Sequence, residues 1–413
     1  MPVTPNNTPF TVQRHLRRGR SLWADLGGYS VTSKRLTHDL FADVVVVGTG
    51  VSGALVAHAL SADGHAVTMI DRRLPITGST MASTALLQFE IDIPLHALAE
   101  KIGQPRAIRA YRRSVQAVSD LGTLVRRERI RCSFTSRDSL YLAGDAYGHR
   151  ALAHETAMRA RAGIPGEFVS EFALRTDYGI ERTGAIISDG SAAANPAQLT
   201  AGVLRRLRAK GMPIYHGCNV LGTHAIARGV AIELESGHTI VANTVVFCTG
   251  YETVRTVPTS SRDMKSTWAI GTGKVANIPG WLRDTVVWEA SDPYLYLRTT
   301  QDGRLVAGGH DVENGSRYSD PALLSPKGLR IADDVTELLP ELRFKVTHEW
   351  AGAFAESPTG LPLIGPMPGT PRAWVVAGFG GNGITYSMIA SQVVAAGLRG
   401  ERDPDAGLYR VPE

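Results

Sequence analysis

The chain has 413 residues, with 44 Lys and Arg against 39 Asp and Glu for a formal charge of +5, and 43% of it is hydrophobic. That length suits two joined domains with sizeable cores, and so mild a charge argues against a nucleic-acid binder. No stretch approaches the roughly 18 uncharged apolar residues of a membrane span, and the scattered Cys132, Cys218 and Cys248 suggest neither structural disulfides nor a thiolate metal site.

Residues 1–41 carry Arg14, Arg17, Arg18, Arg20, Lys34 and Arg35 against Asp25 and Asp39. They show no apolar signal core, so a cytoplasmic protein is expected, and their basic residues lack the interleaved aromatics of a nucleic-acid surface. The segment reads as an extension laid over the body and anchored by Leu22, Trp23 and Leu26.

Residues 42–73 hold the most informative spacing. Val44 to Val47 are a continuous apolar run of the kind a buried parallel strand needs, and Gly48-Thr49-Gly50-Val51-Ser52-Gly53 turns it into a helix. Gly48 permits the tight turn, Gly50 lets the backbone approach a pyrophosphate, and Gly53 allows the helix to pack closely on the strand. The amides at the helix start, from Val51 and Ser52, meet negative charge with a favourable dipole. A second strand, His65 to Ile70, ends at Asp71, 18 residues past Gly53, where a carboxylate can take ribose hydroxyls. This is a dinucleotide-binding signature that does not by itself choose between flavin and nicotinamide. Arg72 and Arg73 suit a 2′-phosphate, but Asp71 would repel it, so both arginines are expected to be mainly solvated, with Arg72 kept among the cofactor contacts.

The loop Ile76 to Ala85, with Ser79, Thr80, Ser83 and Thr84, is rich in small and hydroxyl residues that can lie against a flat ring and donate to it. Helices are expected over 106–125 and 151–164 and a strand over 132–142. A short strand at Ala185 to Ile187 precedes a helix opened by Asn195-Pro196 and stopped by Gly211. Thr239 to Ala242 and Thr244 to Gly250 read as a hairpin and a buried strand, a late return that makes the nucleotide domain discontinuous. From 256 to 340 the period shifts toward two, with Tyr294 to Arg298 and Arg304 to Gly309 as a hairpin around Gln301-Asp302-Gly303, followed by a helix from Lys327 to Leu339. The strand Trp374 to Ala377 ends in Gly378-Phe379-Gly380-Gly381-Asn382-Gly383, and residues 384–398 form a helix. That is a second positive helix end, able to stabilise the negative charge of a reduced flavin.

The expected fold class is therefore α/β plus α+β: a discontinuous Rossmann-like FAD-binding domain (42–130, 180–255 and 345–400) and a second, antiparallel-sheet substrate domain (131–179 and 256–344), between an extension (1–41) and a tail (401–413).

VVVVGTGVSGALVAHAL at 44–60, GSTMASTALLQFEID at 78–92, VVFCTGYE at 245–252, YLYLRTTQDGRLVAGG at 294–309, WAGAFAESPTGLPLIG at 350–365 and VVAGFGGNGITYS at 375–387 together resemble the FAD-dependent D-amino acid oxidase, glycine oxidase and sarcosine oxidase superfamily. The resemblance implies FAD, held non-covalently because the segment after Asp71 has no evident His or Cys for attachment. It implies Gly48, Gly50, Val51, Ser52 and Gly53 at the pyrophosphate, Asp71 and Arg72 at the adenosine, and Val220 at the adenine through its backbone. It further implies Ser79, Thr80, Ser83 and Thr84 beside the isoalloxazine, and Thr249, Gly250, Gly380, Gly381, Asn382, Gly383 and Ile384 as further cofactor contacts. Arg298 matches the arginine that holds an amino-acid carboxylate, a task suited to its bidentate fork. Tyr296, with Tyr294 on the same strand face, and Trp268 would wall the substrate pocket, Lys265 would assist the reaction with oxygen, and His310 would serve as acid or base. Packing or solvation stays open for each of these five, and Glu356 is a further lone acid.

The implied reaction is oxidation of the C–N bond of an amino acid or secondary amine by hydride transfer to flavin N5, with imine hydrolysis and H2O2 production. The implied partners are a small-molecule amine and molecular oxygen or another electron acceptor, without metal, nucleic acid or membrane span. Alternatives are a dehydrogenase donating to a quinone or carrier protein, and a flavin-containing binding or assembly protein with little turnover.

Overall fold

The computed structural model describes residues 10–257 and 263–412. Its first sheet is built on Leu40–Val47, which pairs in parallel with Val67–Ile70 on one side and Thr239–Phe247 on the other. The apolar run of Val44 to Val47 is continuous because both faces are covered. Val44 and Val46 join one hydrophobic core and Val45 and Val47 another. Ile214–His216 and Lys34–Arg35 extend the sheet in parallel beyond Val67–Ile70. At the opposite edge Thr239–Phe247 uses its first half to pair with the hairpin Val220–Ile226 and Gly229–Leu234, and its last residues to pair in parallel with Ala373–Ala377. The helices Val51–Ala62, Pro196–Ala209 and Gly383–Leu398 contribute side chains to one of the two cores.

The second sheet runs in the order Arg17–Gly19, Val346–Glu356, Asp263–Lys274, Arg304–Val312, Leu295–Thr299, Thr285–Glu289, Thr135–Leu142, Gly184–Ala193, Leu86–Leu87, with Glu167–Ser170 also on Gly184–Ala193. Every pairing is antiparallel except that of Thr285–Glu289 with Thr135–Leu142. Helix Leu324–Leu338 packs Ile331, Val335 and Leu338 into the core of this sheet. Among the described residues no helix is long and apolar enough to cross a membrane.

Several expected elements sit where the spacing puts them: helices at Gln104–Arg127, His149–Arg161, Pro196–Ala209 and Gly383–Leu398, and the hairpin of Leu295–Thr299 with Arg304–Val312. Two strands differ from the expected partition. Gly184–Ala193, a ten-residue strand rather than three residues, and Val346–Glu356 both belong to the second sheet, although the boundaries above assign them to the nucleotide domain. Nothing in their local residue pattern says which sheet they join. The extension is part of both sheets, supplying Arg17–Gly19 to one and Lys34–Arg35 to the other, with Leu22 and Trp23 buried between them and Leu26 packed on the core.

Candidate active site

Two helix N-termini open on one cleft. Val51–Ala62 begins at Gly50 and Gly383–Leu398 begins at Asn382, and neither cap residue closes its helix with a side-chain hydrogen bond. The helices are tied together near their starts by Ser52 Oγ and Ser387 Oγ at 2.7 Å. The Val51 amide donates to Thr80 Oγ1 at 3.0 Å, and the helix starts together present partial positive charge to the same space. Gly48, Gly50, Val51, Ser52, Gly380, Gly381, Asn382, Gly383 and Ile384 all line that cleft, as do Thr249, Gly250 and Val220. Gly53 does not border it. A Cβ there would lie 1.9 Å from the Gly48 carbonyl oxygen, so this glycine serves the packing of helix on turn.

At one end of the cleft Asp71 accepts hydrogen bonds from the Thr49 amide (2.8 Å), the Thr49 hydroxyl (2.8 Å) and the Arg73 amide (2.9 Å). Burial pushes its carboxyl above the ordinary range, partly offset by these donors. Arg72 and Arg73 are not mainly solvated. Both pair with the buried carboxylate of Glu252, Arg73 Nη1 at 2.6 Å, and both donate to the Arg14 carbonyl. Glu252 also accepts the Arg14 amide at 2.7 Å, and Thr11 and Leu16 line the cleft, so the N-terminal segment closes this end. Glu252 lies just after the expected strand end at Thr249-Gly250, and a lone acid there gives no sign of the two arginines it faces.

The middle of the cleft is bordered by Ser79, Thr80, Ser83 and Thr84. This segment is held from behind by three long side chains. Trp350 Nε1 donates to the Ala82 carbonyl at 2.8 Å, Trp23 Nε1 to Ser83 at 2.7 Å, and Arg298 Nε to Thr84 at 2.8 Å. Arg298 also donates to the carbonyls of Thr299 and Ala194, its guanidinium lies 5.2 Å from the Trp23 ring centroid, and it does not line the cleft. The expectation that it holds a substrate carboxylate is thereby corrected. Tyr294, Tyr296 and Arg298 do share a strand face, but residues 83–84 and Trp23 lie across it, so the cleft stops at Tyr296.

At the other end the second sheet forms the floor, through Thr267, Tyr294, Tyr296 and Phe354. Burial pushes the Tyr296 hydroxyl above its ordinary value, partly offset by Thr84 and Thr267. Asp92 projects here and accepts the Gly381 amide at 2.9 Å, and a Cβ on Gly380, whose φ is +54°, would lie 2.9 Å from the same carboxylate. Enclosure by protein, followed by repulsion from Glu356, pushes the Asp92 carboxyl up to about 7. Asp311 accepts the Tyr294 hydroxyl at 2.7 Å, and burial raises its carboxyl to about 6. Among the described residues no arginine lines this end, and no group of three or more His, Cys, Asp or Glu is placed to hold a metal ion. Asp92 stands in the stretch after the Ser/Thr loop, but an acid in such a run carries no signal of its own.

The remaining expected catalytic residues lie outside the cleft lining. Lys265 is held between Glu313 (2.9 Å) and Glu356 (3.0 Å); burial opposes its charge, but those carboxylates keep its pKa above the ordinary value. Trp268 faces the opposite side of its strand from Thr267 and packs under the Lys327 ammonium, 4.7 Å from its ring centroid. His310 Nε2 is bound to Asp334 at 2.5 Å. Neither wall nor acid–base role survives for these two positions.

Two buried polar atoms of the cleft wall, Ser79 Oγ and Gln88 Nε2, have no partner among the described residues. An elongated nucleotide group that supplies acceptors along the wall and negative charge at both helix ends fits this cradle.

Comparison with known proteins agrees. Residues 43–396 match the family model described as FAD dependent oxidoreductase. A putative Rieske 2Fe-2S iron-sulfur protein of Bacillus subtilis is 21% identical over 52% of this chain and 42% of its own length. Glycine oxidase of Pseudomonas aeruginosa is 31% identical over 26% of this chain and 29% of its own. The chain thus spans less than half the length of these curated relatives. The crystal structure of glycine oxidase from Geobacillus kaustophilus superposes with a TM-score of 0.76 at 19% identity, covering 91% of this chain and 99% of that one. The fold, the cleft and the family match agree: this chain belongs to the FAD dependent oxidoreductase family.

Proposed function

We propose that the chain binds FAD non-covalently along this cleft and oxidises the C–N bond of a small amine to an imine that hydrolyses after release. The observation that carries the proposal is the convergence of the two open helix N-termini, from opposite ends of the sequence, on one cleft in a chain of this family. When bound, FAD supplies the two-electron acceptor for hydride from the amine α-carbon. The protein's part is positioning and charge. The Ser52 amide would face the pyrophosphate beside the Val51 amide, which donates to Thr80 Oγ1 at 3.0 Å; Asp71 would face the ribose, and the start of helix Gly383–Leu398 the edge of the ring that gains negative charge on reduction. Tyr294, Tyr296 and Phe354 hold the amine over the ring and exclude water.

The substrate end supports a positively charged amine over a free α-amino acid. Asp92, backed by Asp311 and Glu356, outweighs the single Lys265, and Arg298 is spent on backbone carbonyls. An amine whose second positive group meets these carboxylates fits best. Anaerobic mixing of the FAD-loaded protein with glycine, sarcosine, D-amino acids, simple amines and diamines, followed by flavin absorbance, tests it. Fastest bleaching by diamines is expected, and bleaching by amino acids alone would sink it.

A second reading concerns the electron acceptor. Lys265, expected to assist the reaction with oxygen, has its charge met by Glu313 and Glu356, which favours donation to a quinone or carrier protein over H2O2 production. One of the curated relatives is itself named for an iron–sulfur centre. Peroxide yield per substrate oxidised separates the two in the same experiment.

A further inference from the structure

A second cavity lies behind the clamped segment, lined by Arg137, Arg298, Trp23, Asn195, Gln198 and Thr300 among others. Its two arginines come together through strand register. Arg298, Val286 and Ser139 form one row across three neighbouring strands, and Arg137, two residues before Ser139, projects from the same face one row further on. Arg137 is 8% exposed and Arg298 is 2% exposed.

Their charges are poorly met. Among the described residues the Arg137 side chain makes no hydrogen bond, and its buried Nε has no partner. Its one ion pair, to Asp284, spans 3.7 Å to a carboxylate that is 84% exposed. Arg298 gives three hydrogen bonds to carbonyls, which carry no countercharge, and two of its five N–H groups are uncommitted among the described residues. The carboxylate of Asp302 also borders the cavity but is engaged by Thr300 Oγ1 at 2.6 Å and Arg304 Nε at 2.9 Å. Burial, and for Arg298 the neighbouring charge of Arg137, lowers the pKa of both groups, that of Arg298 to about 9. Two guanidiniums buried together without an anion are costly, and a water molecule cannot supply the missing charge.

We propose that this cavity is an oxyanion site, separate from the nucleotide cleft, in which Arg137 and the uncommitted N–H groups of Arg298 bind a phosphate or carboxylate group. The planar forks match either anion. Helix Pro196–Ala209 begins at the same cavity. Its Ala197 and Gln198 amides are already capped by Asn195 Oδ1, so the arginines rather than the helix end do the binding.

The test is calorimetric titration of the FAD-loaded protein, whose pyrophosphate cradle is filled, with inorganic phosphate and separately with succinate, in chloride at constant ionic strength. Saturable binding of at least one probe is expected, and the tighter one identifies the source of the oxyanion. Arg137→Gln should weaken it by about tenfold or more, and Arg137→Lys by less, since the ammonium keeps charge without the fork. In chloride alone Arg137→Gln should melt at or above the parent temperature, because it removes an uncompensated buried charge, whereas an arginine kept for structure would lose stability. Equal affinity in the parent and Arg137→Gln, or no saturable binding of either probe, overturns the site. If Arg137→Gln does not fold, the structural role is supported and the proposal fails.

Discussion

Asp92 has the Gly381 amide on one oxygen and Glu356 near enough to repel it, and its carboxyl is raised to about 7 from 3.8. The side chain faces the water of the cleft yet is ringed by protein, so a ligand that displaces this water sharpens the cost of its charge. Two pH effects of opposite sign follow. Because the folded carboxyl keeps its proton at higher pH than the unfolded one, folding stability falls as pH rises from about 4 to about 7 and is flat above. This contribution is reduced by solvent contact. Binding of a cation runs the other way, since the attractive form of Asp92 becomes the majority form only above about 7. A permanently charged probe such as tetramethylammonium, followed by the flavin difference spectrum, should bind more tightly as pH rises through neutrality. Asp92→Asn should flatten this profile and weaken binding at alkaline pH by about tenfold, the size of one moderately screened charge pair. Superimposable profiles for parent and variant would remove Asp92 from the cation site.

The segment Ser79–Thr84 shows how an element with little structure of its own is fixed. Only Ser79–Met81 forms a helical turn, and the carbonyls of Ala82, Ser83 and Thr84 are each held by a separate side chain from outside. Trp23→Phe keeps the ring and removes one N–H, which should cost about 1–2 kcal/mol by leaving the Ser83 carbonyl unmet. Arg298→Met removes three bonds and should cost about 2–4 kcal/mol, and both variants should release FAD faster. Denaturant midpoints and FAD dissociation constants check this. Loss of activity in Arg298→Met should be equal for carboxylated and neutral amines, and a selective loss for the carboxylated ones would return Arg298 to the substrate pocket. These residues also mark where sequence reasoning stops. The glycine turn at 48–53 and the Gly380–Gly383 run are legible because they demand backbone amides at fixed local spacing. The partner of Arg298 is not, because strand alternation says which face it takes but not that Trp23 and Thr84 cover that face. Arg72 and Arg73 read as solvated for the same reason, their carboxylate Glu252 lying far along the chain.

At the scale of the molecule the two sheets are not two independent folding units. The chain passes between them repeatedly: Leu40–Val47 and Val67–Ile70 in the first, Leu86–Leu87 and Thr135–Leu142 in the second, Thr239–Phe247 back in the first, Asp263–Lys274 in the second and Ala373–Ala377 in the first. The alternation of apolar strands and helices suggested a discontinuous nucleotide domain, but it could not say that Gly184–Ala193 and Val346–Glu356 cross to the other sheet or that the N-terminal segment adds a strand to each. A cut at any expected boundary except that of the tail would part strands of both sheets from their partners, so neither has a closed core without the other. Thermal unfolding of the FAD-loaded protein should therefore be one transition, with tryptophan fluorescence and flavin release coinciding, although a chain of this size often unfolds in steps. FAD present at about a hundredfold over its dissociation constant should stabilise the whole by about 2.7 kcal/mol, since it binds the native state alone. The added stability should move both probes together. If tryptophan emission changed at the same temperature with and without FAD while flavin release shifted, the packing around the tryptophans, Trp268, Trp288 and Trp350 of the second sheet and Trp374 of the first, would be melting apart from the nucleotide cleft, and the interleaving of the chain would not couple them.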